Sequence, residues 1–332
     1  MTKPARNTQA KSPRPTMRAR WKSIAKWGLI TLFSVSAGLA IWLVTRPAEP
    51  PPQVRLGGVA YCRGLPHFAQ TLGFSGQMFL STSERLLKGL VLYELSPTGT
   101  QRTFQDPSWD DAGYLGPITF DGDGNVYVAP VPRTSLVDNP PEKQNTIYRV
   151  DTDTGVMSEF LNLPAPEPPS SSNPFGVLGL TYDCDTHSLY ATSVAGSTRS
   201  QELGRIYRID PSTGQAVSRF DDVDALGIGV FNGAHGKRLY FGSARIAEVR
   251  SIALDEHGDF TGEPRAEFSI IALSGGRDEK ARSMSFDAVG GMLLYGVEFN
   301  FNLVASSEPT QTAYRFRYNS TQDSWELLAI AP

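Results

Sequence analysis

A short segment of the chain spaces oxygen-bearing side chains as a cation-binding loop does. In Asp121-Gly-Asp123-Gly-Asn125 the alternation of Asp and Asn matches the first half of a calcium loop. The match ends there, because Val126 stands where such a loop needs glycine and Pro132 stands where it needs a bidentate glutamate. We therefore interpret the segment as a polar turn, with calcium binding as the alternative.

A second group of chemically capable side chains lies on segments predicted as long loops. Several of these loops are rich in Pro and Ser. Long loops on a rigid scaffold commonly carry binding and catalytic residues, so we expect this group to mark a binding face. Its ionisable and amide members are Asp111, Asp224, Arg245, Arg282, Glu298, Asn173 and Asn300.

The two cysteines, Cys62 and Cys184, form a disulfide only if the fold brings them together. An oxidising compartment would permit the bond. Cys184 lies in a turn between two predicted strands, and Cys62 lies before the first repeated unit. Their spacing does not establish that the Cα atoms approach within the roughly 7 Å that a bridge requires. A disulfide and two free thiols are both open at this point.

Catalytic fingerprints of high specificity are missing from the sequence. It contains no Gly-x-Ser-x-Gly elbow, no Walker loop and no dinucleotide-binding fingerprint. Three of the four histidines fall in predicted hairpin turns, which is not the pattern of a metal-ligating cluster. No cofactor is evident, although a divalent cation such as calcium is possible.

The elements that must position these residues come from a repeated unit of four short strands. Its first half is an apolar strand ending in Asp or Asn, a polar turn and a second strand with a central Tyr. Gly, Asp and Asn tolerate the backbone angles of such turns, so each copy reads as a hairpin. The copies are 118–129, 180–192, 228–242 and 284–297, with a degenerate opening hairpin at 71–83.

The second half of the unit is another strand pair. It recurs at 90–104, 146–160, 205–220, 249–268 and 313–330. An open sheet of about twenty strands would leave exposed edges, whereas four-stranded blades arranged in a ring do not. The repeat therefore predicts an all-β fold, a five- or six-bladed β-propeller, in which 54–70 could contribute to a sixth blade.

The hairpin at 118–129 and the strand pair at 206–220 resemble the NHL-repeat and SMP-30/gluconolactonase-like families of propellers. In SMP-30-like enzymes a Glu, an Asn and an Asp hold a divalent metal at the mouth of the channel. Glu298, Asn173 and Asp224 match that set by residue type. The resemblance thus implies a metal-dependent hydrolase or lactonase as one possible function.

An uncharged run of 19 residues at 27–45 lies between Lys26 and Arg46. At about 1.5 Å per residue a helix of that length nearly spans the roughly 30 Å hydrocarbon core of a bilayer. Trp27 and Trp42 would lie near the interfaces. We expect a signal-anchor helix, followed by a Pro-rich spacer at 46–53. A cleaved signal peptide and a buried core helix are the alternatives.

Charge is distributed very unevenly between the two parts of the chain. Residues 1–45 contain eight Lys or Arg and no acid, and the rest contains 23 basic and 34 acidic residues. The basic tail, 1–26, predicts a cytoplasmic N-terminus by the positive-inside rule, which places the domain at 54–332 in the periplasm or outside the cell. A domain with net charge −11 has no general attraction for nucleic acid.

Taken together, these patterns favour an anchored propeller that acts as a binding or scaffold module. Its partner would be an envelope protein or a polymer, bound at the long-loop face, and the membrane would be contacted through one helix. The metal-dependent hydrolase is the alternative function.

Overall fold

The computed structural model describes residues 55–82, 87–95, 101–132, 137–301 and 311–331. The predicted cytoplasmic tail, transmembrane segment and proline spacer lie outside these ranges. Among the described residues, no helix is both long enough and apolar enough to cross a bilayer.

The described strands form five antiparallel sheets, the blades of a propeller. Blade 1 contains β2 (Gln77–Ser81), β3 (Val91–Leu95) and β4 (Gln101–Phe104). Blade 2 contains β5 (Leu115–Phe120), β6 (Val126–Pro130), β7 (Thr146–Val150) and β8 (Met157–Asn162). Blade 3 contains β9 (Val177–Asp183), β10 (Ser188–Ser193), β11 (Arg205–Asp210) and β12 (Gln215–Asp221).

Blades 4 and 5 complete the ring. Blade 4 contains β13 (Ala225–Gly233), β14 (Gly236–Ser243), β15 (Glu248–Leu254) and β16 (Phe260–Ser269), and β1 (Gly57–Gly58) pairs with the inner edge of β13. Blade 5 contains β17 (Glu279–Phe286), β18 (Gly291–Glu298), β19 (Thr312–Asn319) and β20 (Ser324–Ala331). The described chain also contains one short α-helix, α1 (His67–Thr71), and two 3-10 helices, Pro107–Ala112 and Pro141–Lys143.

The repeated tyrosine of each second strand packs between its own blade and the next one. Tyr127, Tyr190 and Tyr240 are fully buried. They belong to hydrophobic clusters formed largely by blades 3, 4 and 5 respectively. Burial of a large aromatic side chain between neighbours stabilises the ring, which explains why the repeat keeps this residue type.

The ring has two faces, which we define by their connections. The base face carries the turns inside the hairpins, at 121–125, 183–187, 233–236 and 287–290. The loop face carries the connections that enter each first strand and leave each second strand. The predicted grouping of the long connections on one face follows from this strand order.

The predicted opening hairpin of the first repeat, 71–83, is wrong in its first half. Helix α1 and a turn occupy the place of the first strand, and β2 is the equivalent of a second strand. The hydroxyl of Thr82 donates to Gly116 O of the next blade, as that of Thr192 donates to Leu226 O between blades 3 and 4. Blade 1 therefore has three strands, because its sequence lacks the apolar run that precedes the turn in the other copies.

A sixth blade does not form from the N-terminal segment of the domain. Residues 55–66, which we call the strap, instead cross the base face. Gly58 N donates to Asp287 O of blade 5 over 2.8 Å, and Cys184 N of blade 3 donates to Val59 O over 3.0 Å. Beyond the strap, Phe68 N donates to Thr152 O of blade 2 over 2.7 Å. The entry segment thus connects several blades.

Candidate functional site in the central channel

The first strands β5, β9, β13 and β17 surround a central cavity of about 430 Å³. Volumes of roughly 300 to 1,000 Å³ are usual for small-molecule pockets. Val59, Ala60 and Arg63 of the strap line its base. At the other end it is lined by Thr82 and Gln311, among other residues. Because the strap closes the base, a ligand would enter from the loop face.

Glycines let the first strands approach one another closely around this cavity. A Cβ atom added to Gly227 would lie 2.4 Å from the Cα of Ser283 on the neighbouring strand. One added to Gly179 would lie 2.4 Å from Leu226 O. Real Cβ atoms do not approach backbone so closely, so these positions fix the width of the channel.

The missing first strand of blade 1 opens the cavity on one side. Tyr295 is the blade 5 counterpart of the three tyrosines buried between blades, yet it is only partly buried and lines the cavity. Thr82, which directly follows β2, also lines it, because no first strand of blade 1 covers it. The irregular blade therefore gives the channel a polar side wall.

Arg63 brings a partly buried cation to the base of the cavity. Its Nη2 donates to Thr181 Oγ1 and to Tyr182 O, both over 2.7 Å. Its Nε is buried without a hydrogen-bond partner. Burial lowers the pKa of Arg63 to about 10, although the charge of Asp183 acts in the opposite direction. The guanidinium is held in place by neutral oxygen atoms.

Arg282, predicted as a binding-face residue, lines the cavity from β17. Its Nη1 donates over 2.8 Å to Leu178 O, on the first strand of blade 3. Its Nη2 lies 3.7 Å from the position that a Cβ on Gly116 of blade 2 would take. The side chain thus reaches across the channel towards two other blades.

The lining of the cavity is rich in hydrogen-bond donors. Among its described residues none carries a carboxylate, while two carry a guanidinium. Hydroxyl and amide groups come from Thr82, Thr181, Ser283, Ser285, Tyr295 and Gln311. A cationic channel therefore lies inside a domain whose net charge is negative.

The predicted metal ligands lie elsewhere on the loop face. Asn173 Nδ2 donates to Ser197 O over 2.7 Å, and Ser197 Oγ donates to the buried carboxylate of Asp224. These two residues are therefore neighbours. Glu298 is exposed at the end of β18, on blade 5. In the described part of the chain no group of three or more His, Cys, Asp or Glu is arranged to hold a metal.

Arg245 already occupies the position that a cation beside Asp224 would take. Its Nη2 lies 2.6 Å from Asp224 Oδ2, a close ion pair without hydrogen-bond alignment. Gly204 N donates to Asp224 Oδ1 over 3.0 Å. Burial raises the pKa of Asp224 above its ordinary value, even though Ser197 and Arg245 favour the ionised form. As arranged here, the carboxylate fits a guanidinium and not a divalent ion.

The remaining predicted binding-face residues do not reach the cavity. Asp111 is exposed in the 3-10 helix Pro107–Ala112. Arg245 donates to the backbone oxygens of Thr198 and Arg199, so it also fixes the connection between β10 and β11. Asn300 is exposed. Of the predicted group, Arg282 alone lines the cavity among the described residues.

An aromatic cluster on the loop face was not predicted from the sequence. Phe299, which follows β18, packs against Phe175 of the connection before β9, with ring centroids 5.1 Å apart. The guanidinium carbon of Arg245 lies over the ring of Phe301, 5.4 Å from the ring centroid. Blades 3, 4 and 5 are thereby linked at this face. Phe175 and Arg245 are distant in sequence from Phe299 and Phe301, which is why no local pattern indicated the cluster.

The calcium-like segment forms a turn, as interpreted from the sequence. Asp121 Oδ1 accepts hydrogen bonds from the backbone N–H groups of Asp123 and Asn125, over 3.0 and 2.8 Å. Its Oδ2 accepts from the Asn125 amide and the Tyr127 hydroxyl. The carboxylate is thus used to hold the turn, a role that Asp and Asn commonly have.

Cys62 and Cys184 form a disulfide between the strap and the first turn of blade 3. The Cα atoms are 5.7 Å apart and the residues are 122 positions apart in sequence. Next to the bond, Tyr61 donates to Asp185 over 2.7 Å. The strap is therefore fixed covalently at the base of the channel.

Comparison with known proteins finds similarity among solved structures. No protein-family model matches the chain, and no curated protein matches it. A similar solved structure is the calcium-binding protein regucalcin from Agrobacterium tumefaciens, with 13% identity, 83% of this chain and 77% of that chain covered, and a TM-score of 0.47.

Two further solved structures are also similar. One is a luciferin-regenerating enzyme, with 11% identity, 83% of this chain and 76% of that chain covered, and a TM-score of 0.47. The other is the PQQ-bound aldose sugar dehydrogenase of Streptomyces coelicolor, with 17% identity, 68% of this chain and 71% of that chain covered, and a TM-score of 0.38. The predicted propeller fold is confirmed by the five antiparallel sheets of the structure, and the resemblance to SMP-30-like propellers is one of fold. It does not extend to a reaction, since one fold serves many functions.

Proposed function

We propose that the chain is a membrane-anchored, extracytoplasmic propeller that binds an envelope protein or a polymer at its loop face. The observation that carries this proposal is the strap, which closes the base of the ring and is joined to it by a disulfide. Because the base is closed, the long connections and the entrance to the channel both lie on the loop face. It is therefore the face suited to a partner.

Exposed apolar side chains on the loop connections support a contact surface there. Val137, between β6 and β7, is 90% exposed. Ile246, after β14, and Ile271, after β16, are also exposed. Exposed apolar residues are ordinary when single, but protein interfaces bury such groups at their centres. They supply contact area beside the polar side chains of the same loops.

Placement outside the cytoplasm is supported by the disulfide and by the sequence before the domain. Structural disulfides persist in oxidising compartments and are rare in the cytosol. The apolar run at 27–45, preceded by eight cations, is the pattern of an anchor with its N-terminus inside. Both features favour the same topology.

The alternative function, a metal-dependent hydrolase, would need Asp224 to exchange Arg245 for a metal ion. Breaking a buried ion pair leaves an uncompensated charge, at a cost of roughly 3–5 kcal/mol. We therefore favour the binding function. Elemental analysis of the purified full chain separates the two, since a stoichiometric metal that chelators remove would favour the hydrolase.

Site-specific crosslinking tests the binding proposal. A photoactivatable residue placed at Val137 or Ile246 of the full chain, in its native membrane, should form a discrete adduct with a partner. The matched control is Val289, which is 85% exposed in a base-face turn. Adducts from the two loop-face positions and not from the control would support the proposal. Equal labelling at all three positions, or no adduct at any, would overturn it.

A further inference from the structure

The central cavity combines features that point to a ligand of defined charge. It holds two guanidinium groups, several hydroxyls and, among its described lining residues, no carboxylate. We propose that the cavity binds a small organic anion, a carboxylate or phosphate compound, through Arg63 and Arg282. This site goes beyond the partner surface of the loop face, and either proposal can fail without the other.

The first step of the argument is the charge balance around Arg63. The acidic side chain whose charge acts on Arg63 is Asp183, which is fully buried and pairs with Lys237 at 2.7 Å. Among the described residues, no carboxylate lies within ion-pair distance of Arg63, whose Nη2 is held by neutral oxygens. Withdrawing a guanidinium from water without a counter-charge is unfavourable, and a bound anion would remove that cost.

The second step is the chemistry of the neighbouring groups. Ser283 and Ser285 lie on β17, line the cavity and are solvent-exposed within it. Thr181, which accepts from Arg63, also lines it. Guanidinium groups recognise carboxylate and phosphate by paired N–H donors, and hydroxyls bind the remaining oxygens. A cation would instead meet two like charges.

The third step is the size and shape of the cavity. Its volume of about 430 Å³ lies in the range for small molecules. The strap closes the base, where the disulfide joins Cys62, next to Arg63, to blade 3. A long anionic polymer therefore could not thread the ring. The ligand is a compact molecule that enters from the loop face.

The pKa of Arg63 supports this picture. Burial lowers it to about 10, because the surroundings of the channel disfavour the charged form. An anion bound beside the guanidinium would stabilise the charged form and raise that pKa again. Binding and charge retention at Arg63 thus reinforce each other.

Thermal unfolding and calorimetry on the full chain in mild detergent test the proposal. The probes are inorganic phosphate, glycerol 3-phosphate and succinate, with glycerol as the neutral match. At least one anion should raise the unfolding midpoint in a saturable way, because a ligand that binds only the folded state stabilises it. Stabilisation by the phosphate compounds and not by succinate would indicate a phosphate ligand, and the reverse result would indicate a carboxylate ligand. Glycerol should have no effect.

Three variants complete the test. Arg63→Gln and Arg282→Gln should each weaken anion binding by at least about tenfold, the effect of losing a hydrogen bond to a charged group. Arg317→Gln removes the same charge from an exposed position on β19 and should leave binding unchanged. If Arg63→Gln does not fold, Arg282→Gln and Ser285→Ala still report on the cavity.

Several outcomes would overturn the proposal. They are the absence of binding by every anion, equal binding of glycerol, and equal losses in Arg317→Gln and the cavity variants. The loop-face partner is tested separately, because crosslinking from Val137 does not depend on Arg63. A crosslinked partner without anion binding would leave the proposed function standing and remove the channel site.

Discussion

At the scale of single residues, two arginines of different origin determine the character of the channel. Arg282 comes from a strand of the repeat, whereas Arg63 comes from the strap, outside the repeat. One lies at the base and the other reaches over the inner strands towards Leu178. The two positive charges lie inside a domain whose net charge is negative. The local field in the channel is therefore opposite in sign to that of the domain.

The disulfide is the residue-scale feature with the clearest effect on stability. Removing it in the double variant Cys62→Ser/Cys184→Ser should lower the free energy of unfolding by about 3–5 kcal/mol, because the bond closes a long loop in the unfolded chain. Urea unfolding of the full chain, followed by tryptophan fluorescence, measures the change.

Reduction supplies the control for that prediction. Dithiothreitol should destabilise the wild-type protein to a similar degree and should have no effect on the double variant. If wild type and variant unfold at the same urea concentration under oxidising conditions, the strap is held by its other contacts alone. These include the bond from Gly58 N to Asp287 O.

At the scale of elements, the spacing of the first strands depends on positions that lack a side chain. Gly227 lies against the backbone of β17, and an added Cβ would lie 2.4 Å from Ser283 Cα. Gly227→Ala should lower stability by about 1–3 kcal/mol, because overpacking forces the two strands apart. The midpoint of thermal unfolding measures the effect.

Gly64 is a matched control for this change. It lies in the strap, is exposed, and has no atom within 4 Å of an added Cβ. Gly64→Ala should therefore be close to neutral. If both variants lost stability to a similar degree, the effect at Gly227 would come from replacing a flexible glycine backbone and not from the contact between β13 and β17.

The irregular first blade shows how one element changes the function of others. Its missing first strand leaves Thr82 and Tyr295 facing the cavity, although their counterparts in other blades are covered. The same sequence positions that pack blades elsewhere become ligand-facing groups here. Loss of regularity in one repeat thus creates polar surface in the channel.

At the scale of the whole molecule, the anchor that we propose at 27–45 would set where the propeller acts. The full chain should stay in the membrane fraction during alkaline extraction, whereas a variant lacking 27–45 should be released, because a 19-residue apolar helix is held by the hydrocarbon core. Immunoblotting of both fractions measures this. Release of the full chain would contradict the anchor.

The hairpins and outer strand pairs were predictable because their signals are local. The turn at Asp121 and the strands β5 and β6 on either side of it follow from residue types within a few positions of each other. The extra first strand of blade 1 was predicted wrongly, because the segment at 71–83 lacks the apolar run and the turn chemistry of its counterparts. The end of helix α1 and a turn lie there instead.

The candidate site could be predicted only in part. Arg282 was selected as a residue of a predicted long loop, and the structure places it on β17, whereas Arg63 stands in an entry segment without a repeat. The pairing of Asp224 with Arg245 was also not predictable, because 21 positions of chain separate them and no local pattern links the two. Such contacts depend on how blades pack, which a one-dimensional pattern does not encode.

The sequence alone determined the propeller architecture, the acidic character of the domain and the expectation of an anchor. These follow from strand period, turn chemistry, apolar run length and charge counts, which are properties of neighbouring residues. The tertiary structure decided the number of blades, the disulfide, the strap across the base and the cationic lining of the channel. These depend on distant segments meeting in space, because Cys62 and Cys184 are separated by 122 positions and meet only when the ring closes.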